Sequence, residues 1–217
     1  MVCEEYLMQY WRQYIMLEKE FVQTELYVSI HQDNLATFSA AYIKLLLQIG
    51  SEVDIVAKQL CKLYEPKFNK RRIDKYGECI RAGAPDFIVT YVLAEIYGMK
   101  LTPWSDWNLH SPYWWDAYNG NKHNRNETET INKLKKQNYK FANLQNTLDA
   151  LAGLFQLNMI IFEKLALSEG KDVPVPLPGS RLFTLKGGRW DEVPFYRDMV
   201  LHIKDGNLIA ETGTISY

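Results

Sequence analysis

Apolar residues recur along much of this chain at helical spacing. Leu7, Tyr10, Tyr14, Leu17 and Phe21 follow one another at steps of three and four, which predicts a helix over 4–28 with one buried face. A second stripe runs Leu35, Phe38, Tyr42, Leu45, Ile49, Val53, Val56, Leu60 and Leu63. It predicts a helix capped at Asp33 or Asn34, whose side chains can accept the free N–H groups of a first turn. Some 30 residues at 1.5 Å each make it roughly 45 Å long, the length of a bundle's spine. Glu65-Pro66 ends it, because a residue before proline avoids the helical region. A third stripe, Leu144, Leu148, Leu151, Phe155, Phe162 and Leu165, predicts a helix from Asn143 to Leu167, closed by Gly170.

Between these stripes the pattern weakens. Residues 66–82 read as a short basic helix, and Pro85-Asp86 can open another. Residues 87–92 have strand composition. Ser111-Pro112 resembles a cap followed by proline at the first helical position, so a helix follows to about Arg125 despite Gly120. Residues 126–140 are polar and read as a connection. Residues 173–179 alternate proline with apolar residues and read as an extended linker. Residues 181–185 offer a strand, and Asp205-Gly206 between two apolar runs is a hairpin signal. The expected fold is therefore all-α: a helical bundle over 1–170, followed by an extended linker and a small β-hairpin appendage over 171–217.

Composition sharpens this. With 217 residues, 47% hydrophobic and 13% aromatic, the chain can bury one large core and is not disordered. No apolar run reaches the roughly 18 residues of a membrane span. The first residues are acidic where a signal peptide is basic. Cys3, Cys61 and Cys79 form no CxxC pair, which suits reduced thiols. The expected location is cytoplasmic, without a membrane partner. Net charge is −1, but its distribution is uneven. Residues 1–54 hold eight acids and three bases, whereas 62–81 hold seven bases and three acids. Residues 110–142 hold six bases and three acids.

The chemistry-bearing residues concentrate between Pro103 and Arg125. Four of the six tryptophans fall there: Trp104, Trp107, Trp114 and Trp115. They either anchor a loop on the bundle or present rings for base stacking. Tyr118, Asn119, Lys122, His123 and Arg125 follow. On a helix Asn119 and His123 share a face, Tyr118 and Lys122 share the next, and Arg125 follows Lys122 by three. An imidazole, an amide, a phenol and two cations would meet within two turns, which suits a phosphate and a 2′-hydroxyl. The same cluster can equally be a structural polar network. Glu52 and Asp54 form a second constellation at the edge of the long helix's stripe. Glu52 can pair across the bundle with Lys122, His123 or Arg125, or stay solvated at the rim. The run Lys67-Phe68-Asn69-Lys70-Arg71-Arg72 interleaves an aromatic with bases, as a nucleic-acid contact or as a solvated face. His31, His110, His123 and His202 lack ligand spacing, and no phosphate-cradling loop is present, so no metal or cofactor is expected.

The run Trp114-Trp115-Asp116-Ala117-Tyr118-Asn119-Gly120-Asn121-Lys122-His123-Asn124-Arg125 resembles a WWxAYNxxKHxR motif found in uncharacterised bacterial helical proteins. Residues 49–58 and 142–152 are similar to the same group. More distantly, the bundle resembles the HEPN superfamily. Its members are α-helical and often dimeric, and many are metal-independent ribonucleases of toxin–antitoxin and phage-defence systems. Their signature is an arginine, commonly followed by a polar residue, and then a histidine after a short spacer. Asn119 and His123 fit the polar residue and the histidine, whereas Tyr118 holds the arginine's place.

The resemblance implies RNA as partner and a homodimer that sets two motifs across one cleft. His123 would move the proton of the RNA 2′-hydroxyl, Asn119 would orient it, and Lys122 or Arg125 would supply the missing charge. The competing expectation is a non-catalytic interaction module. In it the Tyr118–Arg125 cluster is structural and the C-terminal appendage recruits a protein partner.

Overall fold

The computed structural model describes residues 1–171 and 175–193, with strands 199–204 and 207–212 described by their backbone alone. The first rod is α1 (Cys3–Tyr6), a π-helical turn (Leu7–Trp11) and α2 (Arg12–Gln23). It stops five residues short of the predicted end. The spine is α3 (Ala40–Tyr64), 25 residues long. Its cap is Ser39, whose Oγ accepts from Tyr42 N at 3.1 Å, while Asp33 and Asn34 belong to a separate short turn. Glu65 is extended and ends it, as the following proline requires. The basic segment 66–72 is not helical, and α4 covers only Ile73–Gly83.

Helix α5 (Tyr113–His123) follows, with Pro112 in the cap position. Helix α6 (Leu144–Ser168) is capped by Asn143, whose Oδ1 accepts from Asn146 N at 2.9 Å. Helices α3 and α6 run side by side in the same direction. Their starts are tied by Leu144 N donating to Thr37 O at 2.9 Å, and their ends by Lys164 over the Tyr64 ring at 4.5 Å. The first rod runs against α6: Cys3 N donates to Glu169 Oε1 near its start, and Tyr14 packs on Phe155 further along. Most of α6 is buried, including Leu148, Leu151, Leu154, Phe155 and Ile161. It is the one helix among the described residues that is long and apolar enough to cross a membrane, and 83% of its most apolar stretch is buried in the protein.

The all-α expectation is corrected to a mixed α/β fold. Strands β1 (Tyr91–Ala94), β2 (Met99–Leu101) and β5 (Thr184–Lys186) form an antiparallel sheet in the order β2-β1-β5. Gly98 turns β1 into β2 at φ +60°, a conformation that side chains with a Cβ rarely adopt. The polar stretch expected to be a plain connection holds a second antiparallel pair, β3 (Thr128–Ile131) and β4 (Leu134–Gln137). Asn132 and Lys133 take positive φ at its turn, which suits the twist of a two-residue hairpin. These strands are three or four residues long, and β3 and β4 are mostly exposed. In β3 and β4 too few apolar positions alternate for the pattern to show in sequence, whereas the expected strands at 87–92 and 181–185 overlap β1 and β5 in part.

Strands β6 (Met199–Lys204) and β7 (Asn207–Thr212) pair antiparallel, from Met199 opposite Thr212 to Lys204 opposite Asn207. The expected Asp205-Gly206 turn and residues 172–174 of the linker lie outside the described residues. The segment ahead of β5 is stitched to the first rod. Glu18, only 3% exposed, accepts from Tyr14 OH at 2.6 Å, from Arg181 N at 2.8 Å and from Ser180 Oγ.

Candidate functional site

Helix α5 and the loop ahead of it reach the core through two close approaches, one each. A Cβ on Gly50 of α3 would lie 2.3–2.7 Å from ring atoms of Tyr118, so only glycine lets that ring lie on the spine. Trp104 packs against Gly153 of α6 and donates to its carbonyl at 3.2 Å. Trp114 packs edge-on against Trp104, with centroids 5.0 Å apart, and donates to Pro103 O at 3.0 Å. Trp107 stacks on Trp104 at 4.2 Å. All four tryptophans are buried. They anchor the 103–112 loop and α5 on the bundle, and none stands out as a stacking platform.

The five residues of the cluster divide. Tyr118 points inward, and Lys122 Nζ donates to its hydroxyl at 3.1 Å. Arg125 Nε donates to Asn121 O at 3.3 Å. Asn121, a neighbour that the spacing did not single out, is buried and donates to Ala117 O and Asn138 O. Tyr118, Lys122 and Asn121 are therefore partly spent on structure. Asn119 is half-buried and His123 is exposed, and both open outward.

Asn119 and His123 line one hollow of about 260 Å³ with Asp116 and Glu129. Asn119 also lines a second hollow of about 460 Å³ with Arg71, Arg72, Asp74, Ser111 and Trp115. The two hollows adjoin at Asn119. Arg72 is bidentate to Asp74 at 3.0 Å, whereas Arg71 has no ion pair among the described residues. The basic run ahead of α4 thus meets α5, a tertiary contact that neither segment announces alone. Asp116 accepts from Ser111 Oγ, and burial raises its pKa above the usual carboxylate value.

The second constellation lies elsewhere. Asp54 Oδ1 accepts from the buried Tyr76 hydroxyl at 3.1 Å and so ties α3 to α4. Glu52 makes no ion pair with Lys122, His123 or Arg125. Its carboxyl is raised by burial, and its charge acts on Tyr10 of the first rod. Among the described residues, no group of three His, Cys, Asp or Glu side chains is placed to hold a metal ion. A scan against protein-family models, a search of curated proteins and a search of solved structures each found no match to this chain.

Proposed function

We propose that the outward face of α5 binds RNA, and that His123 moves the proton in a metal-independent cleavage. This is the role a HEPN-like protein of a bacterial defence or toxin–antitoxin system would give it. One observation carries the proposal: Asn119 belongs to both the hollow that holds His123 and the hollow that holds Arg71 and Arg72. A phosphate over Asn119 is within reach of guanidinium groups on one side and an imidazole on the other. Arginine's planar fork suits phosphate oxygens, so Arg71 supplies from another element the cation that Tyr118 displaces from the motif. His123 takes the proton of a 2′-hydroxyl, whose oxygen attacks the adjacent phosphorus. The P–O5′ bond breaks and the leaving oxygen takes a proton from water. The same reading pairs two chains so that their α5 faces share one cleft.

A second reading rests on the hydrogen bonds of Tyr118, Lys122, Asn121 and Arg125. In it the cluster is a structural network and the chain is a non-catalytic interaction module. Two variants separate the readings. His123→Ala should abolish RNA cleavage in EDTA and retain binding. Arg71→Gln with Arg72→Gln should weaken binding at least tenfold and flatten its salt dependence. Absence of RNA binding by the wild type, or binding indifferent to Arg71 and Arg72, refutes the site and favours the module.

A further inference from the structure

A groove of about 710 Å³ lies between α2, the β1–β2 turn and the segment ahead of β5. That volume falls within the range of small-molecule sites. Two sets of residues face it. Ile15, Val22 and Leu26 recur at steps of seven and four, one position round from the stripe that buries Tyr14 and Phe21. Opposite them stands Ile96, in the short turn after β1. Leu26 is 80% exposed and Ile96 69%, so two large aliphatic side chains stand open beside this concave surface.

The charges around the groove are not balanced in their use. Its two carboxylates are engaged within the protein. Glu18 is held by Tyr14, Ser180 and the backbone N–H of Arg181, and Glu25 accepts from Tyr97 OH at 2.8 Å. Its two cations are not engaged: Lys19 and the Arg181 guanidinium line the groove, and neither has an ion pair or side-chain hydrogen bond among the described residues. An aliphatic floor beside two cations that have no partner among the described residues fits a molecule with an apolar chain and an anionic head.

We propose that this groove binds an amphipathic carboxylate of the acyl-chain class. The chain lies on Ile15, Val22, Leu26 and Ile96, and the head group lies between Lys19 and Arg181. The inference is independent of the α5 face, because the two sites share no residue.

Calorimetric titration of the full chain with octanoate, decanoate and dodecanoate, below their aggregation thresholds, tests it. Binding should be saturable and one-to-one, tightening about fourfold per added CH₂, the factor that about 0.8 kcal/mol per methylene gives. Lys19→Gln with Arg181→Gln should weaken decanoate at least tenfold and leave decanol unchanged. Ile96→Asp, at an exposed position, should weaken both ligands. Unchanged circular dichroism and melting would show each variant folded. The proposal is overturned if no saturable binding occurs, if decyltrimethylammonium binds as tightly as decanoate, or if the double variant binds decanoate like the wild type. It is also overturned if the chain self-associates and Ile96→Asp disperses it, which assigns the groove to a second copy.

Discussion

Asp149→Asn should stabilise the protein, and by more at pH 8 than at pH 5. Asp149 sits early in α6, half-buried, with one neighbour to answer its charge: Gln145 Nε2 donates to Oδ2 at 2.7 Å. No cation pairs with it among the described residues. Burial raises its pKa from 3.8 to about 6, against the lowering effect of Gln145. A carboxyl that is harder to ionise in the folded state costs stability as it ionises. The cost is absent below the unfolded value, grows as pH climbs from about 4 to about 6, and is constant above. At about 1.4 kcal/mol per pKa unit, this shift gives about 1.5 kcal/mol at pH 5 and about 3 kcal/mol at pH 8. Residual exposure of the side chain makes these upper figures. Asparagine fits the same space, and its carbonyl oxygen can accept the Gln145 bond without a charge. Urea unfolding of both proteins between pH 4.5 and 8 reads the difference. A gap that stays flat over that range, or a wild type that gains on the variant as pH rises, would refute the account.

Other expectations follow from single contacts. Gly50→Ala should destabilise by about 1–3 kcal/mol in denaturant unfolding, because the new methyl group meets the Tyr118 ring. A gain near 1 kcal/mol, as for alanine in an open helix, would show that α5 does not press on the spine there. Glu18→Gln should cost about 1–3 kcal/mol, because an amide nitrogen then faces hydrogen-bond donors from Tyr14, Ser180 or Arg181. Limited proteolysis of that variant should cut ahead of β5 faster than in the wild type. Asn143→Ala should lower stability by about 1 kcal/mol through loss of the α6 cap, and Asn143→Ser should restore most of it.

The apolar stripes by themselves determined the long helices. Burial of a continuous face is the main reason those segments are helical, so Tyr42, Leu45, Ile49, Val53 and Leu60 could be placed in the core from spacing alone. The stop ahead of Pro66 was equally local, since backbone geometry next to proline depends on few neighbours. The strands were legible only in part: the signals at 87–92 and 181–185 overlap β1 and β5, and two apolar runs marked β6 and β7, whereas β2, β3 and β4 left no mark. β1 owes its place to β2 and to β5, some ninety residues further along, and pairing over that distance leaves no periodic mark.

The candidate site divides the same way. Helical geometry put Asn119 and His123 on one face of α5 before any tertiary contact was known. Packing alone turned Tyr118 onto Gly50, spent Lys122 on its hydroxyl, and withdrew Trp114 and Trp115 from solvent. Packing also brought Arg71 and Arg72 to Asn119 across more than forty residues of sequence. Charge pairing and pocket formation depend on which elements meet in space. A one-dimensional pattern carries the faces of single elements but not the encounters between them.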